Sequence, residues 1–176
     1  MNAQPDLVER LRGTPLRLEE RVAGLPLEQV RRRSGGSWSI ADHAGHLSDL
    51  ESLWSGRIED FLGGVRTLRP ADLENRATWA ANHNARSLED IVSEFRQLQR
   101  DFVAQLEPLS DAQLQLTAHH PRLEQPMTVV DLCFFVAEHD DHHLAAITSL
   151  RGGSALLGTS SAEIGPPTRR CCVPWV

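Results

Sequence analysis

Residues 128–151 of this 176-residue chain read TVVDLCFFVAEHDDHHLAAITSLR, and this stretch decides the fold. Thr128, followed three residues later by Asp131, is typical of a helix start, and Gly152-Gly153 is typical of a helix end. Between them, apolar positions recur at three- and four-residue spacing and predict one long amphipathic helix. Its seam consists of Leu132, Val136, His139, His143, Ile147 and Leu150. Two histidines therefore occupy positions where a helix bundle places core residues.

Three further helical patterns precede this one, each with its own start or stop signal. The first contains a predicted kink or early break, because glycine and proline stand close together in its middle. The other two begin at a serine that has an aspartate three residues later. The first pattern covers about residues 5–23, with the break at Gly13-Thr14-Pro15. The second runs from Ser39 to Gly63-Gly64, and the third runs from Ser87 to Pro108. Two longer connections, 65–86 and 109–127, join them, and neither contains a convincing strand.

Four helices without a strand predict an all-α fold, a four-helix bundle with up-down or crossover topology. The bundle is expected over residues 1–153. Residues 154–176 are rich in Ser, Gly and paired Pro, which predicts a flexible C-terminal tail. The adjacent Cys171 and Cys172 lie in this tail, and Cys133 is predicted to be inert core.

The composition excludes several chemistries. All 18 basic residues are Arg, so lysine-based Schiff bases and phosphate loops are ruled out, and the absence of Tyr rules out a tyrosine acid. A formal net charge of −6 argues against a nucleic-acid ligand. No apolar run approaches the roughly 20 residues of a membrane span, and no signal peptide is recognisable. With no disulfide framework in the cysteine pattern, a cytoplasmic location is expected.

The histidines indicate a metal site. His139 and His143 are four residues apart, so their rings lie one turn apart on the apolar face of the last helix. Such a pair is a common bidentate metal ligand, and a metal would satisfy two imidazoles that are otherwise costly to bury. The second helix offers His43 and His46, and periodicity does not choose between them. One of them with the pair would form a three-histidine site with open coordination positions, as in catalytic metal centres.

Two motifs in this sequence resemble those of the DinB/YfiT-like superfamily of metal-binding four-helix bundles. WSIADHAGHL at residues 38–47 resembles the first motif, and EHDDHHL at residues 138–144 resembles the second. The resemblance covers about residues 5–151 and implies that His46, His139 and His143 are the metal ligands. His43 and His142 would then lie beside the site or face solvent.

The resemblance also implies a function. The family's metal is a divalent transition ion, commonly zinc or nickel, and several branches use it to activate a low-molecular-weight thiol. The chain is therefore expected to be a thiol S-transferase or a hydrolase that acts on a small-molecule electrophile, and to form a homodimer. A non-enzymatic metal-binding or stress-response protein is the alternative. A third reading is a metal-free bundle whose histidines pack or sense pH.

Overall fold

The computed structural model describes residues 4–152 of the chain, and the predicted tail, with Cys171 and Cys172, lies outside them. These residues form a helical bundle with one small β-hairpin. The α-helices are α1 (Gln4–Arg12), α2 (Thr14–Val22), α3 (Leu27–Arg31), α4 (Ile40–Leu62), α5 (Arg76–Ala81), α6 (Leu88–Leu106), α7 (Asp111–Leu114) and α8 (Val129–Gly152), with a 3₁₀ turn at His83–Ala85. The strands are β1 (Thr117–His120) and β2 (Gln125–Thr128).

The predicted helix starts are confirmed by their hydrogen bonds. Ser39 accepts from the backbone N–H of Asp42, and the Asp42 carboxylate accepts from the Ser39 N–H, a complete capping box. Thr128 and Asp131 make the same reciprocal pair before α8. These caps determine where α4 and α8 begin.

The first predicted helix is two helices, α1 and α2, and the break lies at Gly13 as predicted. Pro15 is in the first turn of α2, where its missing N–H is not needed. Thr14 and Pro15 are buried, so the residues at the break pack inside the bundle.

The connectivity crosses the bundle. The α1–α2 pair packs against α6 and α8, and α4 also packs against α6 and α8. Because α1–α2 and α4 are consecutive yet share no major contact, the bundle has the crossover topology and not the simple up-down one. Among the described residues, no helix has the length and apolarity that crossing a bilayer requires.

The expectation of no strand is wrong for the second long connection. Residues 117–120 and 125–128 pair as an antiparallel hairpin, with Ala118 opposite Met127. The two inward-facing residues of β1, Ala118 and His120, are buried. Strands of four residues, one of which contains Pro126, carry too little alternation to be recognised in the sequence.

The apolar core is divided into two clusters, and polar side chains lie between them. One cluster includes Trp54, Phe102 and Val136, and the other includes Leu47 and Ile147. Along α4 and α8, buried polar residues separate the two clusters: His46, Glu51, His139, Asp140 and His143. A polar layer in the middle of a bundle is costly to desolvate, so its presence indicates a functional site and not a feature of core packing.

Cys133 is buried within the first cluster, and burial raises the pKa of its thiol to about 12, as expected for an unreactive core cysteine.

Candidate metal centre

Three histidines meet between α4 and α8. One potential ligand nitrogen from each of His46, His139 and His143 lies within 4.8 Å of the others, and all three side chains are buried. The Nε2 atoms of His46 and His139 are 3.3 Å apart. The ring centroids of His139 and His143 are 4.5 Å apart, as one helical turn requires. The structure thus brings together the three residues that the family resemblance implied, His46, His139 and His143.

Burial keeps the rings of His46 and His143 neutral. Loss of solvent, followed by the nearby histidines, lowers the pKa of His46 to about 2 and puts that of His143 well below its usual range. Neutral imidazole has a free lone pair and is the form that coordinates a metal. At neutral pH these two imidazoles therefore need no deprotonation before they can bind a metal.

The remaining nitrogen of His46 has a partner that sequence reasoning missed. Its Nδ1 lies 2.9 Å from Oγ1 of Thr78, which is buried on α5. With its proton on Nδ1, His46 donates to the hydroxyl and keeps the Nε2 lone pair free. The length of connection 65–86 is the one sequence signal that bears on Thr78, because loops of this length are often functional.

Replacing Thr78 with Val is expected to lower metal affinity about 10- to 100-fold while leaving the fold intact. Valine keeps the shape of threonine but removes the oxygen that orients His46. Competition for Zn²⁺ with a chromophoric chelator measures the change. Thr117→Val is the control, because Thr117 is exposed on β1, and an equal loss in both variants would contradict the orienting role.

His83 is buried, and not exposed on its connection as the position of a loop residue suggests. Its Nε2 lies 3.0 Å from Oδ2 of Asp49, and only 1% of the side chain is exposed. The ring lies against Gly45 of α4, where a Cβ atom would overlap it. Glycine at position 45 therefore allows His83 to pack directly on the backbone of α4, one residue before His46.

His43 lies beside the cluster and His142 is exposed, in agreement with the sequence analysis. The Nδ1 atoms of His43 and His143 are 2.9 Å apart, so one can donate to the other when their tautomers differ. Burial lowers the pKa of His43 to about 4, with a smaller effect from His142. His43 is thus placed to orient His143, the role that Thr78 has for His46.

An indole covers the cluster on one side. Trp38 is 5% exposed, and its ring centroid lies 4.6 Å from that of His46 and 5.8 Å from that of His143. Trp79 contacts Trp38 at 6.1 Å and is 44% exposed, so it continues the aromatic wall to the surface. The Arg33 guanidinium lies 5.3 Å from the Trp79 ring centre. Trp38 and Trp79 therefore form an aromatic wall that extends from the cluster to the surface.

Carboxylates lie behind the cluster. Asp140 is 1% exposed, with its Oδ1 3.6 Å from His139 Nδ1, so it is not simply solvated as most acidic residues on a polar face are. Glu138 is exposed, and Asp141 is half-buried and binds Arg10 and Arg17. Of these three carboxylates, Asp140 is the one that lies near a ring of the cluster.

Glu51 is the most unusual acid in the molecule. It is buried, and neither carboxylate oxygen has a hydrogen-bond partner in the part of the chain that the structure describes. Burial, and then the negative charge of Asp140, raise the pKa of Glu51 well above its usual value. The folded protein therefore holds Glu51 protonated at a pH where the unfolded chain releases the proton.

Glu51→Gln is expected to remove a pH-dependent loss of stability. A raised folded-state pKa stabilises the protein fully below the unfolded value of 4.5, and this stability is lost as the pH rises. The free energy of unfolding of the variant relative to wild type should therefore increase above pH 4.5, by at most about 1.4 kcal/mol per pH unit. Urea unfolding of metal-free protein at several pH values between 4 and 8 measures it.

The control for this measurement is Glu20→Gln, an exposed glutamate on α2. The free energy of unfolding of Glu20→Gln should differ from that of wild type by the same amount at every pH. If Glu51→Gln also differed from wild type by a constant amount, the folded protein would hold Glu51 ionised.

The fold and the cluster together define a class of protein: a crossover four-helix bundle with three buried histidines between its second and fourth long helices. A sequence profile described as the DinB superfamily matches residues 10–147. The chain therefore belongs to the DinB superfamily, as the two motifs predicted.

A solved structure supports the same fold. The chain is similar to YfiT from Bacillus subtilis, described as a probable metal-dependent hydrolase with an unusual four-helix bundle topology. The TM-score is 0.78 at 21% sequence identity, over 86% of this chain and 87% of that one. No curated protein matches the chain significantly. At this identity the likeness establishes the fold.

Proposed function

We propose that this protein is a metal-dependent enzyme in which His46, His139 and His143 hold a divalent transition ion, Zn²⁺ or Ni²⁺. The reaction is transfer of a low-molecular-weight thiol to a small electrophile, or hydrolysis of that electrophile by water. One observation carries the proposal: potential ligand nitrogens of three buried imidazoles lie within 4.8 Å of one another, between α4 and α8. The description of YfiT as a probable metal-dependent hydrolase supports it.

The donor set fits such an ion. Imidazole nitrogen suits zinc and nickel, and neutral rings bind without proton release. Among the described residues, no fourth His, Cys, Asp or Glu joins the group. Three protein ligands are typical of a catalytic centre, whereas a structural zinc site has four. An ion held there lowers the pKa of a bound thiol or water to near neutral.

The chain's own residues supply orientation and shielding. Thr78 and His43 hydrogen-bond the Nδ1 atoms of His46 and His143 and so orient those rings. Trp38 covers the cluster and keeps bulk water away from it. In this reaction the protein needs no nucleophile of its own, which fits a chain without Lys or Tyr.

Elemental analysis of protein purified without chelators or a histidine tag tests the metal. A screen of the loaded protein against several thiols and electrophiles then tests the reaction, with His139→Ala as the inactive control. Turnover that needs a thiol supports transfer, and turnover without one supports hydrolysis. Stoichiometric metal without turnover would favour the non-enzymatic alternative, and absence of metal would reject the proposal. The homodimer, the cytoplasmic location and the absence of a nucleic-acid ligand remain predictions.

A further inference from the structure

Other buried polar groups lie near Trp54, and the first of them is Arg57 on α4. The Arg57 side chain has no exposed surface, and its Nε donates to the carbonyl oxygen of Arg69 at 3.3 Å. Neither Nη1 nor Nη2 has a hydrogen-bond partner among residues 4–152. Burial lowers the pKa of Arg57 to about 10, so it is still charged at neutral pH. A buried cation whose two terminal nitrogens are unpaired has a large desolvation cost that folding alone does not explain.

His120 on β1 adds a third donor without an acceptor. Its Nδ1 accepts from the backbone N–H groups of Arg122 and Leu123 at 3.3 and 3.1 Å. The proton of the neutral ring therefore lies on Nε2, which has no partner within the described residues. Burial, and then the positive charge of Arg57, lower the pKa of His120 to about 4, so the ring is neutral and Nε2 remains a donor.

An aromatic wall joins these donors to the histidine cluster. The Trp54 ring centre lies 5.5 Å from Cζ of Arg57 and 5.6 Å from the His139 ring. Phe135 lies 6.1 Å from Trp54 and 5.9 Å from His120. The same indole therefore contacts the guanidinium and one residue of the candidate metal centre.

We infer that Arg57 and His120 form a buried oxyanion-binding subsite beside the histidine cluster, which takes a carboxylate, phosphate or sulfate group. Its orphaned groups are all donors, and one of them is charged. The guanidinium can donate two parallel hydrogen bonds to two oxygens of such a group, and the imidazole N–H can donate a third. The nearby Asp60 carboxylate is already occupied by Arg69, at 2.8 and 3.0 Å. Low local dielectric makes an anion there a strong partner.

The group has two sources: the anionic end of the molecule that reacts at the histidine cluster, or a separate inorganic anion. The inference does not depend on the proposed function, because binding is measured on metal-free protein. Isotope-labelled wild-type protein is titrated with inorganic phosphate, sulfate and acetate, with chloride keeping the ionic strength constant. We follow the NMR signals of Arg57 Nε and His120 Nε2, with the exposed Arg69 as internal reference.

Saturable shifts at Arg57 and His120, with none at Arg69, are expected. Arg57→Met keeps the side-chain length without donors and should weaken binding more than tenfold, and His120→Phe should weaken it severalfold. Removal of an unpaired buried charge is compatible with folding, and the wild-type signals test the site without any variant. Acetate binding that tightens when Zn²⁺ is added supports the substrate source, and phosphate or sulfate binding unaffected by Zn²⁺ supports the inorganic one.

Absence of saturable shifts with every anion would overturn the inference. So would equal binding by wild type and a folded Arg57→Met variant. A crystal grown in sulfate that shows only ordered water at the Arg57 nitrogens would overturn it as well.

Discussion

His139→Ala is expected to abolish stoichiometric metal binding, and His46→Ala and His143→Ala should do the same. Zinc sites in small domains contribute about 10–16 kcal/mol in total. One ligand of three therefore accounts for about 3–5 kcal/mol, or roughly two to four orders of magnitude in affinity. Elemental analysis and competition with a chromophoric chelator measure the loss, and circular dichroism checks that the variants fold.

Two controls make this result specific. His119→Ala removes an exposed imidazole on β1 and should bind metal as wild type does. His43→Gln removes only the ring that hydrogen-bonds His143, so affinity should fall about tenfold while the stoichiometry stays at one. If His43→Gln lost the metal and His46→Ala kept it, the first ligand would be His43. Full occupancy in His139→Ala would overturn the metal centre.

Gly45→Ala is expected to destabilise the protein by about 3 kcal/mol, at the upper end of overpacking effects. The added Cβ would overlap the His83 ring, which is buried and cannot move into solvent. The hydrogen bond of His83 to Asp49 would be lost as the ring shifts. Urea unfolding measures the free energy, and the NMR signals of His83 report the displacement.

Gly56→Ala is the matched control, because it is the same change in the same helix. Its Cβ would also overlap a side chain, but that side chain is the exposed end of Arg69, which can swing away. The gain of about 0.5–1 kcal/mol from replacing a helical glycine then offsets the loss of surface ion pairs. A Gly45→Ala variant as stable as Gly56→Ala would show that α5 and the turn at His83–Ala85 adjust without cost.

The two sets of buried polar groups share one physical explanation. Histidines 46, 139 and 143 and the Arg57–His120 pair all lie inside a bundle whose core would be more stable if those positions were apolar. A bound ligand offsets the free-energy cost of desolvating such groups. An unpartnered buried donor or acceptor therefore indicates a binding site. Acceptor nitrogens at the first set favour a cation, and donors alone at the second favour an anion.

The sequence by itself determined the long helices and the face of α8 that points inward. Capping pairs such as Ser39–Asp42 and the seam through Leu132, His139 and Ile147 act within a few residues, so they can be recognised without any tertiary contact. The pairing of His139 with His143 in the cluster could also be predicted, because they lie one turn apart on one helix. That the cluster binds a metal remains a prediction. The choice of His46 over His43 came from the family resemblance and not from periodicity.

Other features of the fold and the site depend on tertiary contacts and could not be predicted from the sequence. The crossover topology, the hairpin of β1 and β2, and the burial of His83 and His120 depend on chain segments far apart in sequence. The contact of Thr78 with His46 spans 32 positions, and nothing local to either residue indicates it. The apolar pattern of a helix repeats every few residues, so its evidence accumulates along the chain. A single contact residue in a connection belongs to no repeating pattern. For this reason the clustered histidines could be predicted as candidate ligands, but the residues that hydrogen-bond them could not.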